Sequence, residues 1–347
     1  MTVSTSIVLA SRPHGEPTLA DFRMEERPSD AVRDGEVLLR TLYLSLDPYM
    51  RGRMNAAKSY AAPVALGDVM EGGTVSEVVE SRSPALSPGD IVLSRNGWQT
   101  HAVAAADGLR RLDPTDAPLS AFLGLLGMPG FAAYVGVEEI GRPATGETFV
   151  VAAATGAVGS AAGQFAKIRG ARVVGIAGGA RKVDWMRANL PFDVALDHRS
   201  PDFADDLAAA VPDGIDVYFE NVGGAVWDAV LPHLNDFARV PVCGLISQYN
   251  RTEESAGPDR MPELLSAINI KRMTVRGFTQ RDFLATHADA FRRDVSRWWD
   301  EGRLTLLEDV VEGLENAPAA FLGMLRGENF GKLVVRVSQE RSSHITQ

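Results

Sequence analysis

The sequence predicts an α/β protein of two domains, one β-rich and one built on a doubly wound parallel sheet. Three observations carry that reading. Up to about residue 125, short β-like runs are broken repeatedly by Pro and Gly. From residue 147, apolar runs of strand length alternate with amphipathic helical stretches, as in a parallel sheet covered on both faces. After about residue 305 the pattern returns to that of the opening segment. The expected division is therefore 1–125 with 305–347, and 126–304.

Each element follows from its residues. "GEVLLRTLYLSLDP" (35–48) mixes alternating and continuous apolar residues and stops at Pro48, as a strand should. "EGGTVSEVVES" (71–81) alternates Val with polar residues, and "SPGDIVLSRNGWQTHAVAA" (87–105) reads as a turn and two strands. "LGLLGMPGFAAYVGVEEIG" (123–141) reads as a helix of small residues punctuated at Pro129-Gly130. Strand–helix pairs follow: "TFVVAAA" with "AVGSAAGQFAKIRG", "RVVGIAG" with "ARKVDWMRANL", "DVALDH" with "DFADDLAAAVP". Next come "GIDVYFENVG", a helix near 225–234, and a strand "ARVPVCGLI". The Arg- and Trp-rich stretch at about 281–301 is interrupted by acids and reads as an amphipathic covering helix. The segment from Leu304 supplies strand, helix and a last strand that folds back onto the opening domain.

Bulk numbers narrow the function. With 347 residues, 45% of them hydrophobic, the chain can bury two cores. A net charge of −10 argues against a general nucleic-acid binder but leaves room for a local phosphate pocket. The sequence has no apolar run of membrane-spanning length, and its opening residues, a short apolar patch without basic residues before it, are not expected to act as a secretory signal. Its one cysteine, Cys243, permits no internal disulfide, so a cytoplasmic setting is expected. Scattered histidines and a lone thiol give no metal site, and none is expected.

The chemistry begins at "AATGAVG" (153–159), between a strand and a helix. Gly156, Ala157, Val158 and Gly159 are small enough for a pyrophosphate to reach backbone N–H groups at the helix start, and Gly163 allows close helix–strand packing. A dinucleotide site of this type usually has an acid after the second strand, to bind the adenosine ribose. Here that place reads "GIAGGARK" (175–182), without an acid and with Arg181 and Lys182 beyond. The change suits a 2′-phosphate, so NADP (NADPH) is expected rather than NAD.

These motifs resemble the zinc-independent medium-chain dehydrogenases/reductases, in the branch of leukotriene B4 12-hydroxydehydrogenase/prostaglandin reductase, plant double-bond reductases and bacterial curcumin reductases. "LSLDPYMRGRM", "GMPGFAAYVGV", "AATGAVGSAAGQFAK", "FENVGG", "CGLISQYN" and "GENFGKLVV" match in family order across nearly the whole chain. The resemblance implies a GroES-like substrate domain, a Rossmann cofactor domain, and NADPH-dependent reduction of the C=C bond of α,β-unsaturated aldehydes and ketones. It gives Tyr249 the part of hydrogen-bond donor to the carbonyl oxygen, where negative charge develops. It places Lys182 at the 2′-phosphate and puts His198 where relatives carry a phosphate-binding tyrosine. Asn221 and Asn329 match cofactor-contacting asparagines. Cys243, Gly244, Ile246, Ser247, Gly277 and Phe278 fall in segments lining the nicotinamide, and Met128, Pro129 and Gly130 around its carboxamide. Tyr60 is expected at the substrate, and Tyr49 as a pocket wall or a core aromatic. A small-molecule enone or enal and a second copy of the chain are the expected partners. The alternatives are a quinone reductase of the same superfamily and a non-catalytic NADPH-binding protein.

Overall fold

The computed structural model describes residues 2–252 and 259–340. The chain forms two compact units. One comprises Met1–Leu123, Asp309–Asn329 and the chain from Leu333 onward; the other comprises Gly124–Glu308 and Phe330–Lys332.

The first unit is β-rich. Its strands are β1 (Val3–Leu9), β2 (Phe22–Pro28), β3 (Glu36–Ser45), β4 (Thr74–Ser81), β5 (Ile91–Ser94), β6 (His101–Ala105) and β7 (Arg110–Leu112), with a short helix α1 (Tyr49–Arg53) after β3. β1 and β2 form an antiparallel pair. β2 escapes a hydrophobic-period reading because its sequence, FRMEERP, buries only Phe22 at its start. A stacked Phe22–Trp98 pair with Phe321 against both rings centres the core of this unit.

The second unit holds β8 (Thr148–Ala152), β9 (Arg172–Ala177), β10 (Val194–Asp197), β11 (Ile215–Phe219), β12 (Leu234–Val242) and β13 (Thr274–Gly277). Their order is β10-β9-β8-β11-β12-β13 and every pairing is parallel. The helices are α2 (Met128–Val135), α3 (Ala157–Ile168), α4 (Ala180–Asn189), α5 (Phe203–Ala210), α6 (Gly224–Val230), α7 (Met261–Lys271) and α8 (Leu284–Asp300). Side chains alternate between the faces of the strands, so Val151 and Phe219 join one core while Val150, Ala152 and Tyr218 join the other. On α8, Phe291, Val295 and Trp298 turn inward, as the amphipathic reading requires.

The tail contributes β14 (Glu308–Glu312), helix α9 (Ala317–Leu325) and β15 (Lys332–Arg336). β15 pairs antiparallel with β3, which returns the tail to the opening sheet β14-β15-β3-β4-β5-β7, with β6 also on β3.

Two elements differ from their sequence readings. The stretch 123–141 is not one helix: α2 starts only at Met128 and ends in a π-helical turn, Gly136–Gly141. Pro129 explains the start, because a residue without an N–H fits the first turn of a helix. The strand read as "ARVPVCGLI" is Leu234–Val242, so Cys243 through Ile246 lie beyond its end, where a short 3-10 turn, Ile246–Gln248, leads to Tyr249.

Candidate active site

In an open parallel sheet, ligands bind beyond the carboxyl ends of the strands, where the strand order reverses. That reversal lies between the neighbours β8 and β11. The glycine turn follows β8 and Asn221 follows β11, and the Asn221 side-chain amide donates to the Ala152 carbonyl at 2.9 Å. One hydrogen bond thus bridges the two sides of the reversal.

The turn itself is tight. Ala153 adopts a left-handed φ of 51°, and its carbonyl accepts the Gly156 N–H at 2.8 Å. Gly156 caps α3 without a side chain, so no capping group competes for the first N–H groups of Ala157, Val158 and Gly159. A Cβ at Gly159 would lie 2.2 Å from the Ala153 oxygen, so only glycine lets the helix begin this close to the turn. These features fit a pyrophosphate on backbone donors.

Beyond β9 the expected acid is replaced in a literal sense. A Cβ added at Gly178 would lie 2.8 Å from Nε2 of His198 and 2.9 Å from Nε of Arg199. The imidazole and the guanidinium occupy the space into which a carboxylate side chain would grow. Asp197, at the end of β10, turns its carboxylate onto the Gly179 and Arg199 N–H groups at 2.8 and 2.9 Å. Burial lowers the pKa of His198, and the charges of Arg199 and Lys182 lower it further, against Asp197. Lys182 therefore acts electrostatically on the same corner. Arg181 does not turn the same way: its guanidinium lies over the Phe330 ring, 5.1 Å from the centroid. Arg199 lies outside the residues expected from the sequence, although the signal for it, a second cation next to His198 in "ALDHRS", is present there.

The loop after β12 carries Tyr249. Its phenol oxygen accepts the Leu245 N–H at 3.4 Å, closing the loop on itself beside Gly244. Accepting a hydrogen bond strengthens a hydroxyl as a donor. Ile246 and Ser247 donate their N–H groups to the carbonyls of Asn221 and Val222, each at 3.1 Å. Burial pushes the Cys243 thiol up to about 12, so it stays protonated at neutral pH and packs as a small apolar group.

The remaining expected residues spread more widely. Met128 is half-buried at the start of α2, and Gly130 donates its N–H to the Gly124 carbonyl. Gly277 ends β13 and is exposed, while Phe278 packs edge-on against Phe219. In the first unit, Asn329 is half-buried between α9 and β15. Tyr49 is half-buried against the core; Tyr60 is exposed in the loop after α1. That loop is held by arginines. Arg12 donates to the carbonyls of Met54 and Val64, each at 2.9 Å. Buried Arg53 donates to Ala61 at 2.8 Å, pairs with Glu71, and lies 4.4 Å from the centre of the Tyr60 ring.

Among the described residues, no cluster of His, Cys, Asp and Glu is arranged to hold a metal ion, and no helix is long and apolar enough to cross a membrane.

Two family models match the chain: the N-terminal domain of oxidoreductase over residues 5–112 and zinc-binding dehydrogenase over residues 157–295. The NADPH-dependent curcumin reductase of Escherichia coli is 52% identical over 331 residues, covering 95% of this chain and 96% of that protein. Prostaglandin reductase 1 of Bos taurus is 41% identical, covering 93% of this chain and 95% of its own. The crystal structure of CurA in complex with NADPH from Vibrio vulnificus superposes with a TM-score of 0.93 at 49% identity, covering 97% of this chain and all (100%) of that one. The fold and the match define a two-domain dehydrogenase/reductase. The chain belongs to the medium-chain dehydrogenase/reductase family, in the zinc-independent branch that holds the curcumin and prostaglandin reductases.

Proposed function

We propose that the protein is an NADPH-dependent reductase of the C=C bond of α,β-unsaturated aldehydes and ketones. The observation that carries this reading is the joined pair of loops at the strand-order reversal, which sets Asn221 and Tyr249 on one hydrogen-bonded framework. Relatives named as curcumin and prostaglandin reductases support the same chemistry.

The residues divide the work. The first-turn N–H groups of α3 hold the pyrophosphate, and Lys182, Arg199 and His198 hold the 2′-phosphate. Met128, Gly130, Asn221, the 243–249 loop, Gly277, Phe278 and Asn329 serve the rest of the cofactor. When bound, NADPH supplies a hydride to the β-carbon. Tyr249 donates a hydrogen bond to the carbonyl oxygen as enolate charge develops, the moment at which a preplaced donor is most effective. Solvent protonates the α-carbon. Tyr60, and Tyr49 as a wall, contact the substrate in the first unit.

Tyr249→Phe tests the assignment. Turnover of a 2-alkenal, followed as NADPH oxidation at saturating cofactor, should fall about tenfold or more. Unchanged turnover would remove Tyr249 from the chemistry.

A homodimer paired through the second unit is also proposed. All four residues of the edge strand β13 are exposed, and α7 buries none of its residues while exposing Met261, Leu265 and Ile270. An unpaired edge beside an apolar helix face is a template for a second copy. Sedimentation at micromolar concentration should give twice the chain mass, and a Val275→Lys, Leu265→Glu double variant should give one.

A further inference from the structure

Glu220, the residue after β11, is almost fully enclosed at 1% exposure. Its Oε1 accepts the N–H groups of Val222 and Gly223 at 2.6 and 2.9 Å. Its Oε2 and the Tyr218 hydroxyl lie buried next to each other. Burial raises the carboxyl pKa, although the N–H groups of Val222, Gly223 and Asn221 and the Tyr218 hydroxyl all work to lower it, so enclosing this acid carries a cost. Packing alone would be served as well by an apolar side chain.

Its use is visible one layer out. The two N–H groups it takes belong to the loop Asn221–Gly224, where Gly223 and Gly224 adopt φ of 74° and 58°. The carbonyls of that loop in turn receive the Tyr249 loop. Cys243 and Gly244 donate to the Glu220 carbonyl at 3.0 and 3.3 Å, Ile246 to Asn221, and Ser247 to Val222 through both its N–H and its Oγ, the latter at 2.6 Å. A Cβ at Gly224 would come within 3.2 Å of the Ser247 hydroxyl, so a larger residue would crowd the seam.

We propose that Glu220 is a positioning residue: from beneath the site, its carboxylate fixes the shape of the 221–224 loop, and the seam passes that shape to Tyr249. The inference rests on the reading of Tyr249 as donor to the substrate carbonyl. It assigns Glu220 no contact with substrate or cofactor. Misplacing a reacting group by about 1 Å can cost up to about a hundredfold in rate, so a loop held at one end is worth fixing.

The test is a cycle of variants, with folding checked by circular dichroism and kcat and KM measured with a 2-alkenal well below every melting temperature. Glu220→Gln keeps an oxygen for both N–H groups and turns its amide toward Tyr218, so most of kcat should be rescued, within about threefold. Glu220→Asp is one methylene short and should lower kcat about tenfold while shifting the NADPH KM less than about threefold. In a Tyr249→Phe background the same Asp change should cost less than about threefold, because the group it positions is gone. Ser247→Ala, at an exposed residue, removes one bond of the seam and should lower kcat about threefold even if Glu220→Asp does not fold.

Full additivity in the cycle, or folded Glu220→Asp and Ser247→Ala enzymes with wild-type kcat, would overturn the proposal and leave Glu220 as a fold residue. A Tyr249→Phe enzyme with unchanged turnover would overturn the reading of Tyr249 itself, and with it the target of the positioning.

Discussion

The turn after β8 and the corner after β9 stand on neighbouring strands and, in the proposed reading, both hold phosphate, yet by opposite means. The turn uses backbone alone: Gly156 caps a helix with no side chain, and Gly159 sits where a Cβ would strike the Ala153 carbonyl. The corner uses side chains: His198 and Arg199 fill the space of the missing acid, with Lys182 acting on the same ring. A backbone cradle reads shape and is common to both nicotinamide cofactors. A side-chain cluster reads charge, so it tells them apart and it titrates.

The strongest way to break that contrast is Gly159→Ala. Its Cβ would force the turn from the helix, and affinity for NADPH and NADH should fall together by about a hundredfold or more. Loss of only one cofactor, measured by fluorescence titration, would mean that the turn is not the shared seat. Next is the corner. Lys182→Ala should raise the NADPH Kd about tenfold and Arg199→Ala somewhat less, the size of one charge-assisted hydrogen bond each, with NADH spared. An equal loss for both cofactors would refute the charge reading.

His198 sharpens the comparison through pH. Its pKa lies below the ordinary histidine range before binding, chiefly through burial, and a phosphate dianion would raise it. Binding then takes up a proton, so NADPH affinity should rise as pH falls toward the histidine range, by about twofold to threefold between pH 8 and 6.5. His198→Asn should flatten the slope, and NADH should show none; a slope that survives the substitution belongs to another group. The smallest effect is expected at Arg181, which is stacked on Phe330. Arg181→Ala should change the NADPH Kd less than about twofold, and a tenfold loss would place it in the corner after all.

The middle of the chain is legible because its strands are short, apolar and separated by helices of clear period; "TFVVA" and "IDVYF" can be little else. The pair β1 and β2 is less legible because β2 exposes most of its side chains and so loses the apolar alternation that marks a strand. Local signals also misled at Cys243, where an apolar run continues past the last ladder bond of β12. In the corner, the absence of an acid could be read directly from "AGGARK", but which cations face the gap could not. Arg181 and Lys182 are adjacent in sequence and part by one helical step, while Arg199 arrives from another strand. Glu220 is hidden from the sequence for a similar reason. Sequence shows an acid beside Asn221, and only the packing shows that it is enclosed and bonded to its own loop.

If Tyr60 contacts the substrate, as proposed, the arginines beneath it have a consequence for recognition. An exposed aromatic ring on a loop ordinarily loses freedom when something settles on it, and that loss weakens the grip. Here Arg12 and Arg53 tie down the loop's carbonyls, and Arg53 supports the ring from below. The disorder is surrendered as the chain folds, so a flat conjugated molecule laid on Tyr60 would meet a platform already at rest.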